Sequence, residues 1–301
     1  MRSFFVGLCA LLSVATAGLA VPQPLSARHP PVPIEPGHVR LLIYLKKRDD
    51  ISFQQFSDHW RVIHPPLFLD TKAVKENVTR YEQYHVNQEW KQKLIQEGKS
   101  VAPNVDGIVL IEAESMDKAL SAFSGDEYVE KVFPDSVQWS DVSSNIVASS
   151  FQIATVFDKE PKPVPASQLG VIRTDIQTLL VDVQRKSGMS VSEFGTYWRE
   201  VNAPHLQHLM EETGAGAGLT KNELLTVDPD VGNTPTPFPI EAVSYDGMSV
   251  FNGPSIKTIF ENLKDQKLVS FFQQDAPNFV NVNKPIGYLP VDVVTFNIDK
   301  S

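Results

Sequence analysis

Imidazole is the side chain best suited to proton exchange near neutral pH, and this 301-residue chain carries seven. Two stand where chemistry could use them. His64 follows the run Phe56-Ser57-Asp58-His59-Trp60, and His85 closes Arg80-Tyr81-Glu82-Gln83-Tyr84-His85. Period-two alternation puts Tyr81, Gln83 and His85 on one face of a strand. If the apolar face of the first strand packs on helices, the same parity turns Tyr44 and Lys46, and later Asp182 and Gln184, to the opposite, inner face. His64 and His85 would then be an acid–base pair around a planar phenolic ligand. Lys46 would supply a cation for its phenolate, Trp60 a stacking surface, and Tyr44, Tyr81, Gln83 and Asp182 the polar contacts. His64 is expected to end a helix, where the dipole favours its protonated form. The plainer reading makes Trp60 core and each imidazole a hydrogen-bonded structural group.

Other arrangements carry less. His205, His208 and Glu212 share a helix face at spacings that could make a metal or haem site, although a solvated face explains them as well. There is no HExxH spacing and no Gly-x-Ser-x-Gly elbow, so neither a zinc hydrolase nor an ordinary esterase is indicated. Gly214-Ala215-Gly216-Ala217-Gly218 lacks the Lys-Ser/Thr of a phosphate loop and reads as a helix stop and turn. No metal site is predicted.

The elements that must position these residues come in two sets. Laying Leu41–Pro66 on Leu179–Pro204 at an offset of 138 matches Leu41, Leu42, Ser52, Phe56, Trp60, Arg61 and Pro66 with Leu179, Leu180, Ser190, Phe194, Trp198, Arg199 and Pro204. At an offset of 140, Asp106-Gly107 matches Asp246-Gly247. Each set opens with an alternating strand and a short turn. Ser52 or Ser190 then caps a helix whose apolar residues recur at i, i+3, i+7 and i+10: Phe53, Phe56, Trp60, Ile63 and Val191, Phe194, Trp198, Val201. Ser115 and Ser255 cap short second helices. Strands are expected near Arg80–Val86, Leu219–Val227, Ile146–Phe157 and Pro290–Ile298. The expected class is α+β: two tandem ferredoxin-like βαββαβ repeats whose sheets join as an intramolecular dimeric α/β barrel.

The ends set the compartment. Arg2 precedes an uncharged apolar run to Ala20 with small-residue exits at Ala17 and Ala20, which reads as a secretory signal peptide over residues 1–20. A Pro-rich linker follows at 21–37. The first repeat is expected at 38–160, a linker at 161–170 and the diverged second repeat at 171–301. The sole cysteine, Cys9, lies in the signal, so disulfides and thiol chemistry are excluded from the mature chain. With 27 basic and 36 acidic residues there is no basic field for nucleic acid, and no later stretch is apolar enough to span a bilayer. Asn77-Val78-Thr79 is a glycosylation sequon for a secreted, exposed segment.

The run Lys46-Lys47-Arg48, Ile51-Ser52, Phe56, His59-Trp60, His64, Pro65-Pro66-Leu67 closely resembles the opening motif of the EthD family, and Arg80-Tyr81, Gln83, His85 and Asp106-Gly107 resemble its next two signatures. The resemblance implies a dimeric α/β barrel. It also implies a link to aromatic compounds or fungal polyketides, loosely with oxidoreductases, whose polyketide relatives need no metal or organic cofactor. The partner expected is a hydrophobic or aromatic small molecule. The second copy departs from the motif, with Asn202 for His64 and, at the same offset, Glu223 for His85. The function expected is a cofactor-independent oxidoreductase or lyase, centred on the first copy. The alternative is a non-catalytic binding barrel, and a third possibility is haem held by His64, His85 or His205. A monomer is expected because both barrel halves lie in one chain, with Asp228–Pro239 as a loop near the barrel mouth.

Overall fold

A computed structural model describes residues 29–101, 105–142, 147–160, 170–227 and 245–300. The leader, the 161–169 segment and the Asp228–Pro239 loop expected from the sequence lie outside the described residues.

Nine strands are present among the described residues: β1 Val39–Leu45, β2 Val78–Val86, β3 Ser100–Val101, β4 Gly107–Ala113, β5 Val147–Asp158, β6 Gln177–Val183, β7 Lys221–Val227, β8 Gly247–Gly253 and β9 Gly287–Phe296. Eight of them form a closed antiparallel barrel in the order β2-β4-β1-β5-β7-β8-β6-β9, and β9 returns to β2 with Tyr81 opposite Phe296. The short β3 adds in parallel to β9. The two halves are joined through β5 on β7 and β9 on β2, so closure leaves no long edge among these eight strands.

Helices cover the outside. In the first half they are α1 Phe53–Asp58, α2 His64–Leu69, α3 Lys72–Asn77, α4 Gln88–Gln96, α5 Met116–Ser121 and α6 Phe133–Trp139. In the second they are α7 Val191–Tyr197, α8 Ala203–Thr213, α9 Ile256–Leu263 and α10 Gln266–Phe279. Ser52 and Ser190 each close a capping box with Gln55 and Glu193, which satisfies two orphan amides at each start. Ser115 and Ser255 cap α5 and α9. Gly214 ends α8 at φ +67, a left-handed conformation that suits a residue without Cβ.

Alternation along the strands divides two kinds of core. Leu42, Tyr84, Ile108, Leu110, Ile153, Leu180 and Val250 fill the barrel. Leu41, Ile43, Tyr81, Val109 and Ile111 face outward under Phe56, Trp60, Phe68 and Trp139. Burying each such side chain contributes about 1.5–3 kcal/mol relative to leaving it exposed.

The helical spacing expected from the sequence fails after the first helix of each half. α1 continues into α2 through a π turn, His59–Ile63, and α7 into α8 through another, Trp198–Asn202. The extra residue rotates the rest of the helix, so the next residue after Trp60 to reach the sheet is His64, not Ile63. Ile63 is 52% exposed while His64 is 7% exposed, and Asn202 rather than Val201 is buried in the second half. His64 therefore sits inside a continuing helix and not at a helix end, contrary to the sequence expectation.

Candidate functional site

The site residues expected from the sequence fall into four places. Tyr81, Gln83 and His85 do share a face, as parity requires, but it is the outer face beneath the helices, together with Trp60. Tyr44 and Asp182 sit on the barrel side. The Tyr44 hydroxyl meets that of Tyr245, a residue the sequence did not single out. The Asp182 carboxylate accepts the Gly287 amide at 2.6 Å, and burial raises its pKa. Lys46, just beyond β1, pairs with Asp49 at 3.5 Å. One pocket walled by all of these residues is ruled out by geometry, because the sheet stands between the Tyr44 and His85 faces.

His85 is tightly bound. Ser57 donates its hydroxyl to Nδ1 at 2.9 Å, and Nε2–H donates to the Gln83 side-chain Oε1 at 3.0 Å, which fixes one neutral tautomer. Gln83 in turn donates to the Trp60 carbonyl and the Tyr81 hydroxyl. The imidazole lies 4.4 Å from the Trp60 ring. Burial, aided by the Arg61 charge, lowers its pKa to about 3, so it stays uncharged in ordinary buffers.

His64 belongs to a second knot built on Asp135. The Asp135 carboxylate holds His59 Nε2 at 2.7 Å and His64 Nδ1 at 2.8 Å, and accepts the Trp139 indole N–H at 3.2 Å. Burial opposes the carboxylate, but hydrogen bonds from His64 and His59 outweigh it and bring its pKa down to about 2. Burial lowers the His64 pKa against the pull of Asp135, which reverses the helix-dipole expectation. The aromatic ring of Trp139 lies between the two knots, 5.0 Å from His64 and 5.9 Å from Trp60. Sequence reasoning missed Asp135. Its available signal was the repeat itself, since Asp135 and Val142 recur as Asp275 and Val282 at the offset of 140.

The second half has the corresponding knot in other chemistry. Asp275 accepts from the Tyr197 hydroxyl at 2.6 Å and from Asn202 Nδ2 at 2.7 Å. The strand register corrects one sequence pairing. Thr226 lies opposite Gly247 as His85 lies opposite Gly107, whereas Glu223 stands opposite Val250 as Glu82 stands opposite Leu110. Thr226 is thus the counterpart of His85. Glu223 instead holds Arg40 at 2.6 Å and Lys221 at 2.9 Å in a buried ionic cluster.

Beneath the helices of the second half is a cavity of about 110 Å³. Trp198, Leu206, Leu224, Phe251, Phe272 and Phe279 contribute to its mainly apolar wall, and Asn202, Ser249 and Tyr288 carry its polar groups. His64 and His85 line neither this cavity nor the two open grooves near Lys186 and Arg48. Among the described residues no cluster of three or more His, Cys, Asp or Glu is placed to hold a metal ion. No helix among them is long and apolar enough to cross a membrane.

A polar knot under a π-turned helix, set on the outer face of an eight-stranded barrel, is the arrangement to compare with known proteins. Residues 48–143 match the EthD domain. The EthD match takes in α1, the π turn, β2, β4 and Asp135, and stops before β5. Among solved structures, an anthrone oxidase-like protein is 10% identical, with 89% of this chain and 98% of that chain covered and a TM-score of 0.52. That likeness shows the barrel fold. A proposed monooxygenase from Fusobacterium nucleatum subsp. nucleatum is 8% identical over 87% and 94% of the two chains, TM-score 0.49. A single-site variant of the chlorite dismutase from Candidatus Nitrospira defluvii is 13% identical over 86% and 91%, TM-score 0.43. No curated protein sequence matches the chain.

Proposed function

We propose that this chain is a secreted, monomeric fusion of two diverged EthD-type units that binds an apolar, ring-containing small molecule in the cavity of its second half. The fusion is supported by the paired sequence offsets and by one repeated contact: a Cβ on Gly107 would strike the Trp60 ring, and a Cβ on Gly247 would strike Trp198. The observation that carries the binding reading is the cavity under Trp198, apolar on nearly every side and within a factor of two of the about 150 Å³ apolar cavity known to take up benzene. Asn202 at its edge is already engaged by Asp275, and no imidazole or carboxylate lines it, so binding follows from this geometry more directly than turnover. Asn77, at the end of α3, is the proposed glycan site.

Titration with single-ring phenols, followed by quenching of tryptophan fluorescence, tests this reading. Saturable quenching is expected, weakened at least roughly tenfold by Leu206→Phe, which fills the wall. Quenching that is non-saturable, or indifferent to Leu206→Phe, overturns it.

A second reading keeps catalysis, as an oxidoreductase or lyase of aromatic or polyketide-type compounds, in the first half. It is favoured by Asp135, whose carboxylate holds two imidazoles in fixed orientation, with His59 21% exposed at the surface. Incubation with an extract of the producing organism, read by mass spectrometry, separates conversion from retention. Conversion lost in both His64→Gln and His85→Gln supports this second reading, whereas full turnover in the double variant ends it.

A further inference from the structure

The outer faces of β7 and β8 form one side of the second-half cavity, since Leu224, Ser249 and Phe251 all line it. Cross-strand pairing sets Leu224 opposite Ser249 and Asn222 opposite Phe251. Two polar side chains are thus buried beside these apolar neighbours, Asn222 at 0% and Ser249 at 7% exposed. In the first half the same register positions hold Tyr81 and Val109, both part of the core there. Burying a hydroxyl or an amide costs free energy unless each finds a partner, so packing by itself favours the valine over Ser249.

The polar pair satisfies itself only in part. Asn222 Nδ2 donates to the Ser249 hydroxyl oxygen at 2.8 Å and to the Val250 carbonyl at 3.2 Å. A carbonyl can only accept, so the Val250 bond fixes which end of the amide faces Ser249. The Ser249 oxygen is therefore an acceptor towards Asn222, and its proton remains for another group. Among the described residues no group accepts that proton, and Asn222 Oδ1 is buried without a partner. Accepting the amide N–H also polarises the hydroxyl and makes it a better donor.

The other polar wall residues are Asn202, whose Nδ2 is held by Asp275 at 2.7 Å, and Tyr288, whose ring packs on Phe260. No charged side chain lines the cavity, so an ionised ligand would enter without a counter-ion.

We propose that Ser249 determines the specificity of the cavity: its hydroxyl, held by Asn222, donates to an oxygen carried by the ligand ring. The class selected is a neutral aromatic ring bearing an acceptor oxygen, in preference to the bare hydrocarbon. The assignment rests on the binding reading above.

Calorimetric titration of the whole chain with phenol and with toluene, which matches phenol in shape and lacks the oxygen, tests it. Ser249→Ala should weaken phenol binding by roughly fivefold, the effect of one hydrogen bond, and leave toluene binding within about twofold of the native chain. Retained toluene binding shows that the variant's cavity is intact. Should Ser249→Ala bind neither ligand, Ser249→Cys, close to serine in shape and a weak donor, decides by the same comparison. Phenol binding that ignores both substitutions, or equal weakening of phenol and toluene in Ser249→Cys, overturns the assignment. A phenol response found in Tyr288→Phe and absent at Ser249 also overturns it. A native chain that binds neither ligand removes the cavity reading itself, whereas one that binds both without any response at Ser249 removes only this inference.

Discussion

The two halves of the barrel dress one scaffold differently: the first sets imidazoles against Trp60 and Trp139, and the second lines an apolar cavity. Each has a capped helix, a π turn, a tryptophan over a strand glycine, and a buried aspartate tying the turn to the last helix. The differences are in what surrounds them. His64, Phe68, His85 and Trp139 in the first half correspond to Asn202, Leu206, Thr226 and Phe279 in the second. Each replacement shortens a side chain, and three of the four shortened residues, Asn202, Leu206 and Phe279, line the cavity. The cavity thus coincides with smaller side chains on a similar frame, while His64 and His85 are hydrogen-bonded into the buried layer beneath the helices.

Variants that treat the halves unequally test this comparison most severely. Trp60→Ala should cost about 3–5 kcal/mol in urea unfolding, because the ring is fully buried among Phe56, Trp139 and His85. Trp198→Ala, next to an existing cavity, should cost less than Trp60→Ala, because the ring has fewer neighbours to lose on the cavity side. Equal losses would mean the two halves are equally well packed.

Asp135→Asn should cost about 1–3 kcal/mol by leaving one of its three donors without a suitable acceptor. The same experiment gives a pH sign. A carboxylate whose folded pKa is about 2 stabilises the fold above its ordinary value near 3.9, and the gain disappears as pH falls through that window. The variant's stability should accordingly be flatter between about pH 4 and 2.

Phe68→Leu, which gives the first half the residue of the second, should cost about 1–1.5 kcal/mol and open a small apolar space. New binding of a single-ring probe in that variant would show that bulk alone separates the halves. A chain that is destabilised but still blind to the probe would implicate His85 and Trp139 as well.

The smallest effect at neutral pH belongs to His85→Gln. The folded pKa of His85, about 3, lies below the ordinary value near 6.5, so between them the unfolded chain binds a proton that the folded chain refuses. Stability must fall as pH drops through that interval, by up to about 1.4 kcal/mol per unit. The variant should lose this slope while its melting temperature at pH 7.5 barely moves. A slope unchanged by the substitution would mean that His85 titrates in the folded state.

Much of the fold was legible in the residues. Alternation located the strands to within a few positions, Ser52, Ser190, Ser115 and Ser255 marked helix starts, and the 138 and 140 offsets drew attention to paired tryptophans and glycines. These are local properties, fixed by backbone periodicity and by amides that need a partner. Which face of a strand meets a helix and which meets the barrel is not local, and so Tyr44 and Asp182 parted company from Tyr81, Gln83 and His85. A π turn adds one residue without an obvious signature, which exchanged Ile63 for His64 on the buried side. The pairing of Asp135 with His59 and His64 spans more than seventy positions, and only helix packing brings it about. The sequence by itself determined the elements, their caps and the paired offsets between the halves. Tertiary structure decided the register that makes Thr226 the counterpart of His85, and separately the place of the cavity, because volume is set by which side chains meet across the packed layers and not by any one segment.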